Sequence, residues 1–211
     1  DGVTTSFAAN VLGHVVLTEE LIKAGKLSGS VVFSSTEAVR GVPSMGLNRV
    51  KLSDHSVDEF KKVADGSFIG AMKSSDPAMD TYGVVKFMGT LWMSYMARQH
   101  PNIRFVSMSP GASSGTNGAA NMSVAKRTFM KTMMKIMSVF GAAHGVKTGA
   151  KRYIDALTDA EKFKTGEFYA SKKGVSGHVV EQSSSKPSIT EYKNVNIQDN
   201  AVQAIRDIIK A

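Results

Sequence analysis

The chain has 211 residues, 42% of them hydrophobic and 21% charged, with a net charge of +8, which suits one globular domain, or one domain with an appendage. It has no cysteine, so disulfides, thiolate metal sites and a cysteine nucleophile are excluded; no metal site is expected, and an intracellular reducing compartment, not further specified, is the expectation. No apolar run approaches the ~18 residues of a membrane helix, and no signal peptide is visible.

Residues 3–24 are predicted to form a helix, with Phe7, Val11, Val15 and Leu21/Ile22 near one face. "KAGKLSGS" reads as a loop, and "SVVFSS", 30–35, as a buried parallel strand. Residues 36–79 are mixed and polar, with a short helix expected at 56–64; so long a stretch in a compact domain is usually functional. A helix is predicted over 80–99, striped by Val84, Phe87, Met88, Leu91, Trp92 and Tyr95 and stopped by Pro101. "NIRFVSMS", 102–109, is a second buried strand, followed by the loop "PGASSGTNG". Helical periodicity returns at 123–140 and 146–157, "GEFYAS" at 166–171 reads as a last strand, and "NAVQAIRDII", 200–209, as a terminal amphipathic helix. Alternation of strand and helix predicts an α/β domain with a parallel sheet.

The basic excess is concentrated, with 11 Lys/Arg against 4 Asp/Glu in residues 121–175. A solvated helix face, with lysine stems over apolar surface, accounts for it. No nucleic-acid motif accompanies it, and no nucleic-acid partner is expected. Gly141, Gly145 and Gly149, four apart, read as helix breaks or close contacts.

Two Y-x-x-x-K patterns occur, Tyr82–Lys86 in "YGVVK" and Tyr169–Lys173 in "YASKK". On a helix such a pair shares one face. Only Tyr82 opens a long apolar-striped helix between two strands. Tyr169 follows a short strand and runs into Gly174, so it reads as structural.

The order of motifs is informative: a helix carrying "NVLGH", a strand ending in "SS", "YGVVK" heading a helix, and a strand ending in "SPG". This order resembles the catalytic half of the short-chain dehydrogenase/reductase family over nearly the whole chain. The fold implied is the C-terminal part of a Rossmann-like doubly wound parallel sheet with flanking helices, one domain over 1–211. Segments 36–79 and 117–160 would flank the substrate site. Ligands in such sheets bind at the strand ends, where both "SS" and "SPG" fall.

The resemblance implies four catalytic residues. Tyr82 would be the general acid/base. Lys86 would hold the nicotinamide ribose and lower the phenol's pKa, because an ammonium favours the phenolate. Ser35 would hydrogen-bond the reacting oxygen, and Asn10 would hold Lys86 through a water. The turn Pro110–Gly111, with Ala112, Ser113 and Thr116, would close over the nicotinamide end of the cofactor. Thr116 is one residue later than in the common family pattern, and Ser35 and Tyr82 are 47 positions apart, far more than is usual there. With the basic segment and "QDNAVQAIRDII", these features resemble the protochlorophyllide reductase-like branch. The cysteine that the light-dependent enzymes use is absent, so the architecture carries over and the pigment substrate does not. A retinol-dehydrogenase-like or other reductase fits equally, and His14 reads as a packed histidine.

The activity implied is NAD(P)(H)-dependent hydride transfer to or from a carbonyl, alcohol or activated double bond. A small, lipophilic substrate is expected. NADP(H) is favoured over NAD(H), since that branch generally uses it. A homodimer or homotetramer through the helices at 3–24 and 80–99 is possible within the family. The family's Gly-rich phosphate loop is not in the sequence, and a Rossmann half of roughly 90 to 100 residues is expected to precede "DGVTTSF". The alternative is a truncated, catalytically inactive structural or interaction protein of the same family.

Overall fold

A computed structural model describes residues 2–72, 74, 76–114 and 143–210. The first helix, α1, begins where the extended Thr4 accepts the Phe7 N–H on its hydroxyl. It is α-helical over Thr5–Phe7, makes a π-helical turn over Ala8–Leu12 and is α-helical again over Gly13–Lys23. The chain then enters β1, Ser30–Ser34.

The long stretch 36–79 is folded. Turns of 3-10 helix occupy Glu37–Val39 and Pro43–Met45, and helices α2 and α3 occupy Val57–Asp65 and Ser67–Ala71. The entry to α2 is held twice. Ser56 accepts the Glu59 N–H, and the Glu59 carboxylate accepts the N–H groups of Ser53, Asp54 and His55. This reciprocal arrangement satisfies donors that a helix start leaves orphaned.

Helix α4 spans Pro77–Gln99, three residues earlier than predicted. Asp76 accepts the Met79 N–H and Pro77 occupies the first turn, the usual chemistry of a helix start. Tyr82 therefore lies in the second turn rather than the first. Next come β2, Arg104–Met108, and a short parallel pair, β3 Ser113–Ser114 with β4 His144–Gly145. Helix α5, Val146–Thr158, the strands β5, Phe168–Lys173, and β6, Ser176–Glu181, and helix α6, Val195–Lys210, complete the chain. The helix predicted at 123–140, Thr116 and nearly all of the Met-rich segment 117–145 lie outside the described residues.

The described sheet has the order β1-β2-β5-β6. β1 and β2 run parallel from Ser30↔Arg104 to Ser34↔Met108, and β2 and β5 run parallel through Ser107↔Phe168 and Met108↔Tyr169. Only the last pair, β5 with β6, is antiparallel. β6 is missing from the predicted elements because "SGHVVE" is half exposed and offers no apolar run.

Both faces of the sheet are covered, which explains the near-continuous apolar strands. Phe33, Phe105, Phe168 and Ala170 point into a core with α1, α4 and α6. Val106, Met108 and Tyr169 point the other way, against Ala156 of α5 and Phe163. Tyr169 stacks edge-on against Phe163, accepts the Lys164 N–H and donates to the Lys162 carbonyl, a packing role. Among the described residues no helix is long and apolar enough to cross a membrane.

α4 is buried from Gly83 to Ser94, and it approaches the sheet closely at Gly89. A Cβ there would lie 2.2 Å from the Phe33 ring, so no side chain fits without moving an aromatic at the centre of the core. Gly89→Ala is expected to destabilise the fold by about 1–3 kcal/mol despite alanine's better helix propensity. Urea unfolding of the variant at unchanged m-value checks this.

Candidate active site

The carboxyl ends of β1 and β2 meet beneath the N-terminal half of α4. β1 stops at Ser34, and the chain continues through Ser35, whose N–H still donates to the Met108 carbonyl at 2.9 Å. Thr36 is extended and accepts the Ala38 N–H, starting the turn that carries Glu37. α4 packs directly on this turn: a Cβ on Gly83 would stand 3.2 Å from the Ala38 carbonyl. Tyr82, the neighbour of Gly83, is thereby placed over the end of β1.

Pleating sorts the three hydroxyls here. Ser35 points to the α4 side, is 1% exposed and bonds Thr90 Oγ1 at 3.0 Å. Its hydroxyl is inside the core. Ser34 and Thr36 point the other way, because side chains alternate along an extended chain. The Thr36 hydroxyl, which accepts the Ala38 N–H, is the one that lowers the Tyr82 pKa against the effect of burial. Thus "SST" supplies a hydroxyl beside the phenol, but one residue beyond the Ser35 that the sequence motif selects.

Tyr82 and Lys86 do come together, with a different electrostatic result from the one expected. The Tyr82 pKa is raised, not lowered: burial raises it, the Glu37 charge adds to this, and the Thr36 hydroxyl opposes. The reason is geometric. Lys86 Nζ lies over the face of the Tyr82 ring, 5.8 Å from its centroid, and 4.9 Å over Phe33. Lys86 is 5% exposed, and its ammonium has no hydrogen-bond acceptor and no carboxylate among the described residues. Burial lowers its pKa from 10.5 to about 8.

Asn10 lies in the π-helical turn of α1, where its Nδ2 donates to the Ser6 carbonyl at 3.0 Å. It makes no direct hydrogen bond to Lys86. The residue of α1 that senses Lys86 is His14, one turn on and edge-on to Phe33. Its pKa is lowered by burial first and by the Lys86 charge second. π-turns of this kind recur at functional positions of helices.

The turn after β2 is firmly tied. Gly111 has φ +73, and a Cβ there would come within 2.7 Å of Arg152, His144 and the Val175 carbonyl, so glycine is required twice over. Its N–H donates to Ser109 Oγ, and the Ala112 N–H donates to the Val175 carbonyl at 2.6 Å. Both amides are thus engaged within the protein. The Pro110 carbonyl is bonded to His144 Nε2 at 2.7 Å. Ser113 Oγ is buried without a hydrogen-bond partner among the described residues and packs close to Gly149, where a Cβ would stand 2.4 Å away.

Between this turn and α5 lies a cleft of about 410 Å³, with Pro110, Gly111 and Ser113 on one wall and Val146, Gly149 and Tyr153 on the other. The size is that of a small-molecule site. Tyr153 joins the cleft to the end of β1, its hydroxyl 2.7 Å from Ser34 Oγ.

The floor is a buried charge network. Glu37, 3% exposed, accepts the Ser109 hydroxyl at 2.5 Å and the Ser171 N–H at 3.0 Å, with Arg152 Nη1 3.7 Å away. Arg152 also donates to the Ser109 and Gly177 carbonyls and to Ser171 Oγ. Arg40 donates to the Gly41, Ser171 and Gly174 carbonyls. This network binds the ends of β1, β2 and β5 to α5 and sets the position of Tyr153.

Thr36, Glu37, Arg152 and Tyr153 escape the sequence reading. Only Glu37 carries a signal there, as an acidic residue directly after a strand that ends at the binding edge. Arg152 and Tyr153 lie some 115 residues further along a helix whose periodicity reports only its packing.

The molecule is therefore an α/β protein with a mostly parallel four-stranded sheet and helices on both faces. Its polar cluster of phenols, hydroxyls and a buried lysine stands at the carboxyl edge of that sheet. Compared with known proteins, the chain matches no protein-family model and no curated protein sequence.

Proposed function

We propose that the chain is the catalytic part of an NAD(P)H-dependent oxidoreductase of the short-chain dehydrogenase/reductase type. In that reading its sheet is the C-terminal part of a Rossmann-like doubly wound sheet, and its substrate is a lipophilic carbonyl or alcohol. NADPH is favoured over NADH. The observation that carries the reading is Lys86: a nearly buried lysine whose ammonium has no acceptor among the described residues, set against Tyr82 at the carboxyl edge of a parallel sheet. A buried charge without a partner is costly, and a ligand with vicinal hydroxyls, such as the nicotinamide ribose, would supply the acceptors. The sequence holds no Gly-rich turn for the phosphates, so the residues present account for the nicotinamide end alone.

Lys86, beside Tyr82, would hold the ribose of a reduced nicotinamide, whose chemistry when bound would be hydride donation to a carbonyl carbon. Tyr82 gives its proton to the carbonyl oxygen, completing the alcohol, and regains a proton from water. Its raised pKa keeps the phenol protonated at neutral pH, which suits the reductive direction. The Thr36 hydroxyl, beside that phenol, orients the oxygen. Asn10 would act through water and Lys86, as the family resemblance implies; Ser35, bonded to Thr90, would set the strand end. An oligomer through α1, which exposes Val16, Leu17 and Leu21, belongs to the same proposal.

Lys86→Met tests this on two readouts. Titration of the full-length protein with NADPH, followed by nucleotide fluorescence, should show binding that the variant loses at least tenfold. Affinity retained within twofold would sink the reading. The variant should also be more stable than the wild type by about 1–2 kcal/mol at pH 7, because it removes a buried charge. The gain has a defined pH window. Lys86 is lowered in the fold, so between about pH 8 and pH 10.5 the unfolded chain binds more protons than the native one. Wild-type stability therefore rises with pH across that window, and the advantage of the variant fades toward its upper end.

One observation favours a second reading, an inactive protein of the same fold used for structure or interaction: the Gly111 and Ala112 amides are engaged internally. It predicts no nucleotide binding by the full-length protein.

A further inference from the structure

We propose that the cleft between the Pro110 turn and the head of α5 is a carboxylate site, which holds the acid end of a small ligand with an apolar body. The inference stands on the cleft alone and needs no redox chemistry. Where the oxidoreductase reading holds, the ligand is the substrate, a lipophilic oxo or hydroxy acid.

The cleft opens on the start of a 13-residue helix, with Val146, Gly149 and Ala150 of its first turns in the wall. The first N–H groups of a helix have no intrahelical acceptor and carry partial positive charge. Most helices satisfy some of them with a side-chain oxygen. Here the cap is Gly145, in extended backbone, which has no side chain to offer, and the first turn holds no acidic residue. Lys147 stands in that turn and is exposed. An anion placed there meets donors and a favourable dipole.

A second observation marks the same place. Ser113, on the opposite wall, has its hydroxyl oxygen buried without a hydrogen-bond partner among the described residues. It lies against the first turn, since a Cβ on Gly149 would come within 2.4 Å of it. A buried hydroxyl without a partner is costly, and a carboxylate at the helix start would accept from it. The sign of the surroundings agrees. No acidic side chain lines the cleft among the described residues. The Arg152 guanidinium lies directly behind Gly111, where a Cβ would stand 2.7 Å from Nη1; Glu37, 3.7 Å from that nitrogen, offsets its charge in part. The rest of the lining, Pro110, Val146, Ala150 and the Tyr153 ring, is apolar and suits a hydrocarbon body.

The test is a saturation-transfer NMR titration of the full-length protein with cyclohexanecarboxylate, cyclohexylmethanol and cyclohexylmethylammonium, which share a ring and differ in charge. The acid is expected to bind at least tenfold more tightly than the other two. Ser113→Ala should weaken the acid about tenfold, as a hydrogen bond to a charged group requires, and leave the alcohol within twofold. Val146→Asp places a carboxylate in the first turn, which suits the helix dipole but repels the ligand; acid binding should fall at least tenfold with the alcohol unchanged. Thermal unfolding identifies the variants that keep the fold, and Ser113→Ala decides alone if Val146→Asp does not. Acid affinity within twofold of wild type in either folded variant overturns the site, as does an alcohol or ammonium that binds as tightly as the acid. Displacement of the acid by inorganic pyrophosphate at lower concentration than by unlabelled acid overturns the carboxylate in favour of a phosphate. None of these readouts involves turnover or NADPH, so failure of the oxidoreductase reading and failure of this site are seen separately.

Discussion

Tyr82→Phe is expected to lower kcat for ketone reduction by roughly 10²–10⁴-fold, the usual range for losing a positioned general acid, while NADPH affinity stays within about threefold. The contrast with Lys86→Met is the informative part. Removing the phenol oxygen leaves the ring on which the Lys86 ammonium stacks, so the proposed cofactor end of the site would be preserved. A phenylalanine variant with turnover within threefold of wild type would remove Tyr82 from the mechanism. The pH profile adds a separate check. The Tyr82 pKa is raised above that of an ordinary phenol, chiefly by burial, whereas burial lowers that of Lys86 to about 8. The fall in kcat/KM on the alkaline side should therefore be governed by Lys86, near pH 8.

Glu37→Ala should be the most damaging substitution to stability, costing about 3–5 kcal/mol. The carboxylate is 3% exposed and joins three elements. Without it the Ser171 N–H and the Ser109 hydroxyl lose their acceptor, and Arg152 keeps its buried charge with only neutral partners. Glu37→Gln retains the shape and an acceptor and should cost less. Glu37→Ala combined with Arg152→Met should recover part of the loss, because the second change removes the stranded charge. Urea unfolding of the three variants measures this. A Glu37→Ala cost below about 1 kcal/mol would mean that water replaces the carboxylate and that the network does not hold the strand ends.

The two outcomes are linked by location. Glu37 raises the Tyr82 pKa and, through Arg152, fixes the helix that bears Tyr153. A residue that is structural by burial therefore also adds to the pKa shifts of the two phenols, which burial dominates.

The sequence determined the order of α1, β1, α4, β2, α5, β5 and α6, through the 3.6-residue stripe of α4 and the continuous apolar runs of β1 and β2, both strong local signals. It also determined that Tyr82 and Lys86 share a helix face, since that follows from spacing alone. The helix start at Asp76 was legible in the Asp-Pro pair, yet the apolar stripe, which begins later, obscured it. Which hydroxyl of "SST" faces Tyr82 was decided by the tertiary structure. A shift of one position turns a strand side chain to the opposite face, and only the packing of Phe33 against Gly89 fixes which face is which. The sign of the Tyr82 pKa shift was decided there too, because a lysine four residues on can approach a phenol at its oxygen or over its ring. Tyr153 and Arg152 joined the site only through the crossover that carries α5 back over the sheet. Sequence distance conceals that return, and a buried network of Glu37, Arg40 and Arg152 is what holds it in place.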